Sequence, residues 1–287
     1  MQAYTSYSAA FKAAFASQTF AVAQLQHIRL PMNIDTSGCY KLFFFRSGGK
    51  KFHIDGDIYQ IQPGDLFFVN QRQWHYFSQI SKSEDHERIV VFIYPDYLKA
   101  LSTPQTNLRA CFQENGGGWP CRALDPAARE RFVDLICRLS SADGFGADVL
   151  TLSAFLELLV LANTVYQSGE TAKKPQPEQQ PGQSAQVQAI LHFIDEHMTQ
   201  ELTLEVLSGQ FYLTPSYLCR IFKKETGTTI HKYITAKRIT LAKDLLTGGS
   251  SVTDACSKSG FRDYNGFLKA FVSAVGMPPK KYAQLGR

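Results

Sequence analysis

The chain has 287 residues, 44% of them hydrophobic and 19% charged, a composition that reads as globular and soluble and leaves room for two domains. No unbroken apolar run reaches the roughly 18 residues of a membrane span, and the six cysteines form no CxxC pair, which favours reduced cytosolic thiols over a disulfide framework. The net charge of +5 is uneven: residues 1–184 carry 17 basic and 17 acidic side chains, residues 185–287 carry 13 and 8, so a polyanion partner is expected for the last third.

In chain order, Tyr4, Tyr7, Phe11 and Phe15 share one face of a short amphipathic helix, without the basic start and long apolar stretch of a signal peptide. Residues 1–20 therefore read as an arm or lid. Short aromatic and β-branched runs follow: "CYKLFFFRS", "KKFHIDGDIYQI", "GDLFFVN", "WHYFSQI" and "RIVVFIYP". Turn signals at Ser47-Gly48-Gly49, Asp55-Gly56-Asp57 and Pro63-Gly64-Asp65 separate them, a pattern that suggests a barrel or sandwich.

Two helices come next. "DPAARERFVDLICRLSS" opens with Asp125 as cap and Pro126 at the first helical position, and puts Phe132, Leu135, Ile136 and Leu139 on one side. "GADVLTLSAFLELLVLANTVYQ" is apolar around much of its circumference. Leu152, Phe155, Leu156, Leu159 and Val160 form one stripe, and Leu158, Leu161 and Val165 another. Such a helix needs two apolar partners: the domain body and a second copy of the same helix, unless it is an ordinary buried helix. A polar stretch with three prolines, "QSGETAKKPQPEQQPGQS", then reads as a linker.

Beyond it a helical unit repeats at an offset of 49 residues. Thr214 falls on Asp263, Leu218 on Phe267, Arg220 on Lys269, Phe222 on Phe271 and Gly227 on Gly276. Each copy is a short helix, a turn and a second short helix, with Ser208 and Ser257 expected where the two helices touch. In the first copy, Thr214 and Pro215 open a helix of two unlike faces. Leu218, Ile221 and Phe222 lie on one side, and Ser216, Cys219, Arg220 and Lys223 on the other. Residues 228–246 form a joining helix of about 28 Å, able to hold two recognition helices roughly one DNA turn, about 34 Å, apart.

Residues 185–287, through "YLCRIFKKETG", "AKRITLAKDLL", "GFRDYNGFLKAF" and "GMPPKKY", resemble the DNA-binding domain of AraC/XylS-type transcription regulators. The earlier "GDIYQIQPGDLFFVNQRQWHYF" resembles that family's cupin-like sensor. The resemblance implies an α+β multidomain chain. Residues 1–124 would be a cupin-like β-barrel with an N-terminal arm, 125–168 appended dimerisation helices and 169–184 a linker. Residues 185–287 would be an all-α domain with two helix-turn-helix units joined by a long helix. It implies base or near-base contacts from Ser216, Cys219 and Arg220, and phosphate contacts from Thr214, Lys223, Lys224, Lys237 and Arg238. From the second unit it implies Tyr264, Asn265, Leu268 and Lys269. Arg220 suits guanine O6/N7. Val272 departs from the family pattern, and Leu268 is apolar on the side expected to face outward. Double-stranded promoter DNA, a homodimer through Leu152, Phe155, Leu156 and Leu159, a small-molecule effector and RNA polymerase contact are the implied partners. An activator in the cytoplasm, away from membranes, is the implied setting.

For the barrel, Tyr40, Leu42, Phe44 and Arg46 alternate onto one strand face, and Tyr59, Trp74 and His75 lie near the expected mouth. Aromatic faces with polar tips suit a sugar, an aromatic acid or another metabolite; an aromatic core that binds nothing, with Arg46 ion-paired outside, has the same pattern. His53 and His75 lack the His-x-His spacing of metal-dependent cupin enzymes, Asp55, Asp57 and Asp65 read as turn residues, and no GxSxG, P-loop or dinucleotide fingerprint is present. No catalytic residue, metal or cofactor is expected. Control by protein contacts or abundance remains open beside control by a ligand, with a metal-dependent cupin enzyme further off.

Overall fold

The computed structural model describes residues 3–26, 38–48, 51–54, 57–71, 73, 75–78, 87–113, 119–169, 172–174, 183–226 and 228–285. Gly49, Asp55, Gly56, Trp74, Gly227 and residues 175–182 of the expected linker lie outside them. Helix α1 (Tyr7–Ser17) begins at Ser6, whose hydroxyl accepts from the Ala9 amide. Strands follow as β1 (Phe20–Leu25), β2 (Tyr40–Phe45), β3 (Lys51–Ile54), β4 (Asp57–Gln60), β5 (Asp65–Val69), β6 (His75–Ser78), β7 (Arg88–Ile93) and, after helix α2 (Pro95–Leu101), β8 (Cys121–Ala123). They form a five-stranded antiparallel sheet in the order β1-β7-β2-β5-β8 and a three-stranded one in the order β4-β3-β6.

The larger sheet is apolar on both faces, because successive side chains of a strand point to opposite sides. Phe43 and Phe45 of β2, Phe67 and Val69 of β5, and Val90 and Phe92 of β7 turn inward. There they meet Phe52, Tyr59 and Phe77 of the smaller sheet, with Ala10 and Ala14 of α1 closing the third side. Leu42, Phe44, Leu66, Phe68, Ile89 and Val91 turn the other way, under α3 (Pro126–Ser141) and α4 (Ala147–Ser168). As the sequence predicts, Asp125 caps α3 by accepting from the Ala128 amide at 2.8 Å, with Pro126 at the first position.

By length and mean hydropathy α4 meets the measure of a membrane span. Here it is a packed helix of the N-terminal part. Phe155 stacks on Phe20 with ring centroids 3.8 Å apart, and Leu158, Leu159 and Ala162 are fully buried. Buried Asn163 accepts from the Cys111 amide at 3.0 Å and donates to Leu108 and Leu159 carbonyls. Beyond α4 the chain returns to the sheet: Lys173 donates its backbone amide to the Cys121 carbonyl and pairs with buried Asp65 at 2.5 Å. Part of the expected linker is thus fastened to the sheet.

The remainder is helical: α5 (Gln183–His197), α6 (Leu204–Phe211), α7 (Pro215–Thr226), α8 (Ile230–Thr247), α9 (Val252–Lys258), α10 (Tyr264–Val275) and α11 (Pro279–Leu285). It has two cores that share α8. Ile230, Tyr233 and Ile234 join Val187, Ile190, Leu207, Leu218, Ile221 and Phe222 in the first. Ile239, Ala242 and Leu246 join Ala255, Phe267, Phe271 and Val275 in the second, with Phe15 of α1 packed against its edge.

The repeat is not at a single offset. The caps of α6 and α9, Thr203 and Ser251, are 48 residues apart, whereas those of α7 and α10, Thr214 and Asp263, are 49 apart. The second turn contains one more residue. Ser208 is therefore matched by Cys256, both nearly buried, while Ser257 is exposed and makes no helix contact of the kind expected of it. The left-handed turn residue is Tyr212 in the first unit (φ 53°) and Gly260 in the second (φ 89°). Tyr212 takes this conformation as the cap that ends α6, its amide donating to the Gly209 and Ser208 carbonyls, and its side chain stands almost wholly in solvent.

The two parts of the chain also meet at the smaller sheet, where α7 runs alongside β6. The face of that sheet turned away from the barrel interior is buried: Ile58, His53 and Tyr76 lie there, His53 stacked on Tyr76 at 4.3 Å. Burial, helped by the Lys51 charge, pushes the His53 pKa down from 6.5 to about 3.

Two outcomes follow from this packing. A Cβ at Gly260 would stand 2.8 Å from the Met198 carbonyl oxygen and the Thr199 Cα, at a backbone angle that L-residues avoid. Gly260→Ala should lower stability by about 2 kcal/mol or more in urea unfolding; a loss under about 0.5 kcal/mol would contradict the close approach. His53 is held neutral when folded but takes a proton below about 6.5 when unfolded, so the stability it contributes is complete above that pH and falls as pH drops toward 3. The slope approaches about 1.4 kcal/mol per pH unit, and His53→Gln should flatten the stability profile between pH 7 and pH 5 measured by urea unfolding.

Candidate nucleic-acid interface

Helix α7 starts because the Thr214 hydroxyl accepts from the Tyr217 amide at 3.4 Å and Pro215 is pre-set for the first turn. Its buried stripe is Leu218, Ile221, Phe222 and Thr226. Ser216, Cys219, Arg220, Lys223 and Lys224 are exposed. The Arg220 guanidinium carbon lies 5.2 Å from the centre of the Tyr217 ring, which holds the side chain along the helix surface. The helix therefore presents hydroxyl, thiol, guanidinium and ammonium groups on one face while its other face seats it in the first core.

Helix α10 is capped more tightly, with Asp263 accepting from Asn265 at 3.0 Å and Gly266 at 2.7 Å. Tyr264, Asn265, Lys269 and Val272 are exposed. Leu268 is half-buried against the second core, not turned outward; the apolar group on the surface is Val272. The width of the apolar stripe decides this, since Phe267, Leu268 and Phe271 all pack on the second core, and the linear pattern does not resolve one helical position from its neighbour.

Lys237 and Arg238 of α8 have other employment than the phosphate contacts implied for them. Lys237 pairs with Asp195 at 2.8 Å and is only 11% exposed. Arg238 donates to the Met198 carbonyl at 2.8 Å and the Gln200 carbonyl at 2.9 Å, tying α8 to the α5–α6 connection. Burial and the neighbouring Arg262 lower its pKa. Arg262 itself is paired with Glu201. The outward cations of the two recognition helices are thus Arg220, Lys223 and Lys224 on the first and Lys269 on the second.

In the sensor, the structure brings Tyr59 and His75 into the barrel interior. The Tyr59 hydroxyl donates to Asp57 at 3.4 Å, and the His75 ring meets Phe43 and Phe52 edge-on. Tyr40 and Phe44 point the other way: Tyr40 packs on Phe112 and Phe44 on Phe132, beneath the helices. Arg46 is exposed beyond the end of β2. The inward face of β2 carries Lys41, Phe43 and Phe45 instead, and Arg88 of β7 joins it as a buried cation that the linear pattern passed over. Among the described residues no three metal-ligating side chains converge.

On α4, Phe155 and Leu159 are fully buried within their own chain and are not available to a partner. Leu152 and Leu156 line a shallow groove of about 660 Å³ with Val149, Val160 and the Arg131–Glu157 pair. Val149 and Val160 are more than half exposed, as is Leu150 beside them.

Comparison with known proteins agrees with this architecture in both halves. A helix-turn-helix domain model matches residues 207–284, and an AraC-like ligand binding domain model matches residues 39–159. The chain is 24% identical to the HTH-type transcriptional activator RhaS of Klebsiella pneumoniae over 245 residues, 82% of each chain. It is 31% identical over 99 residues to the HTH-type transcriptional regulator YtdP of Bacillus subtilis, 34% of this chain but only 13% of that relative. Of the solved structures, ToxT of Vibrio cholerae is 15% identical, with a TM-score of 0.37, covering 94% of this chain and 98% of that one. The two matches together give the chain both parts of an AraC-type DNA-binding transcription regulator, a helix-turn-helix domain and a ligand-binding domain.

Proposed function

We propose that this regulator binds promoter DNA through α7 and α10 and that a small molecule in the sensor barrel controls it. The observation that carries the DNA part is the seating of two helix-turn-helix units on opposite halves of one helix. The 18 residues of α8 span about 27 Å, close to the spacing of successive major grooves on one side of a duplex. The polar faces of α7 and α10 remain open to solvent. On this reading Arg220 and Asn265 face base edges, and Thr214, Lys223 and Lys224 face phosphates. Residues 1–168 are the sensor, 169–184 the connection and 185–287 the DNA-binding domain.

What supports small-molecule control is α1, which touches both parts. Tyr7 and Phe11 pack on Phe92 of the barrel, and Phe15 packs at the edge of the second helical core. A ligand that alters the seat of α1 acts at once on the unit that holds α10. The α4 groove supports a homodimer, because its exposed valines and leucines form a continuous apolar strip on a helix whose opposite face is already used.

Arg220→Ala should weaken binding to the specific site by about 1–3 kcal/mol and relax base preference at one position. Lys223→Ala should weaken specific and non-specific DNA alike and reduce the salt slope by about one. Fluorescence anisotropy across a salt series separates the two, and equal losses on both DNAs for Arg220→Ala would remove its role in base reading. For assembly, Val160→Glu should convert a sedimenting dimer to a folded monomer, lowering the melting temperature by no more than the lost association accounts for, since Val160 is 52% exposed. Leu159→Glu, buried within its own chain, should instead unfold the sensor. A parent protein that sediments as a monomer would refute the dimer.

A further inference from the structure

We infer that the barrel's ligand is a small apolar monocarboxylate, gripped side-on by Arg88; this rests on the small-molecule reading of the sensor. Arg88 opens β7 and shares the inward face with Val90 and Phe92. It is 3% exposed. Its cross-strand neighbours are Leu25 of β1 and Phe45 of β2, both apolar, and its guanidinium carbon lies 5.2 Å from the centre of the Phe77 ring. Among the described residues neither its Nε nor its Nη2 has a hydrogen-bond partner.

A second arginine of the same sheet shows what a structural role looks like. Arg122 is as deeply buried, at 2% exposed, yet it donates to the carbonyls of Trp119, Cys121 and Tyr166 and lies over the Tyr166 ring. Arg88 has the ring but, at Nε and Nη2, no acceptor among the described residues. A buried cation without acceptors costs stability, and an apolar side chain of similar length would fit the same wall better. Burial accordingly pushes the Arg88 pKa down to about 10, against a smaller upward pull from Tyr7, and leaves the group cationic at neutral pH.

The two orphaned atoms define the missing partner. Nε and Nη2 form the edge of the guanidinium that meets both oxygens of a planar carboxylate in parallel hydrogen bonds. Among the described residues the neighbour that acts electrostatically on Arg88 is a phenol, Tyr7, not a second cation. At the Phe45–Arg88 end of the interior one guanidinium stands among phenylalanine rings, with the buried Lys41 opposite Phe92 at the other end of the same strand pair; a single guanidinium balances a monoanion, whereas a phosphate dianion would need further donors and charge beside it. The rings of Phe45 and Phe77 offer an apolar bed for the rest of the molecule. Tyr7 lies on α1, so the bound acid sits beside the element that also reaches the DNA-binding part.

The test uses the full chain, its Arg88→Met variant and its Arg88→Lys variant. Benzoate, phenylacetate and hexanoate are compared with the corresponding neutral amides, by thermal melting and calorimetric titration. The expected result has three parts. Acids raise the melting temperature of the parent more than amides do. Arg88→Met loses at least tenfold in affinity for the acids and Arg88→Lys retains part of it. Without ligand, Arg88→Met melts no lower than the parent, because it removes an unsatisfied charge and keeps the packing. Acids that stabilise Arg88→Met as well as the parent, or a parent that none of the acids stabilises, would overturn the assignment. A ligand-free Arg88→Met that melts several degrees lower would do the same by showing a structural role. Amides that bind the parent as tightly as acids would overturn the anionic class while leaving small-molecule control standing. DNA binding by the same variants, measured by anisotropy, reports separately on the regulator reading.

Discussion

The five-stranded sheet is buried on both sides, and most of the sensor's arrangement depends on that constraint. Each of β2, β5 and β7 contributes alternate residues to two different cores. One core closes the barrel; the other anchors α3 and α4. Any side chain is therefore either a barrel-wall residue or a support for the helices, and the pleat allows no third option. Phe44 and Phe45 are chemically identical neighbours with different tasks: Phe44 packs on Phe132 of α3, and Phe45 faces Phe52 and Phe77 across the barrel. Helix α4 inherits its orientation from this sheet. Phe155 stacks on Phe20, which fixes Val160 and Val149 on the outer side.

The helical half solves a similar problem with one helix in place of one sheet. Tyr233 and Ile234 belong to one core and Ile239, Ala242 and Leu246 to the other. Lys237 and Arg238 occupy the changeover. They are spent on Asp195 and on two backbone carbonyls, which fastens α8 to the α5–α6 connection. A helix that carries two cores needs such fixing, since each core alone is small and a rotation of α8 would move both recognition helices together. Two of the cations on this domain thus hold the frame, and those on α7 and α10 are left to face outward.

The two halves touch at places that differ in kind. Phe15 reaches the second core from α1, and α7 lies alongside β6, where Ile58, His53 and Tyr76 are buried. His53 is neutral there because an imidazole charge is poorly tolerated where solvent is excluded, and the Lys51 charge adds to the effect. Arg220 and Lys223 of α7 stay exposed beside this contact.

Much of the helical half was legible in the sequence alone. Thr214-Pro215, Asp263 and Asp125-Pro126 marked helix starts because capping is local chemistry between a side chain and amides two or three residues away. The two faces of α7 were equally plain, since a 12-residue helix with a clear apolar stripe leaves little choice of which side is buried. The strands of the barrel were visible, but their inward faces were not. "CYKLFFFRS" is apolar at odd and even positions alike, so the period-two signal that would mark an interior vanishes. Tyr40 and Phe44 were assigned to the cavity side on that basis, and only the packing of α3 and the 110–112 turn against them shows otherwise. The extra residue in the second helix-turn-helix connection, the employment of Lys237 and Arg238, and the orphaned donors of Arg88 were likewise decided by tertiary structure. Each depends on what a distant part of the chain places nearby: the Met198 carbonyl, the Asp195 carboxylate, or, for Arg88, apolar neighbours that accept no hydrogen bond.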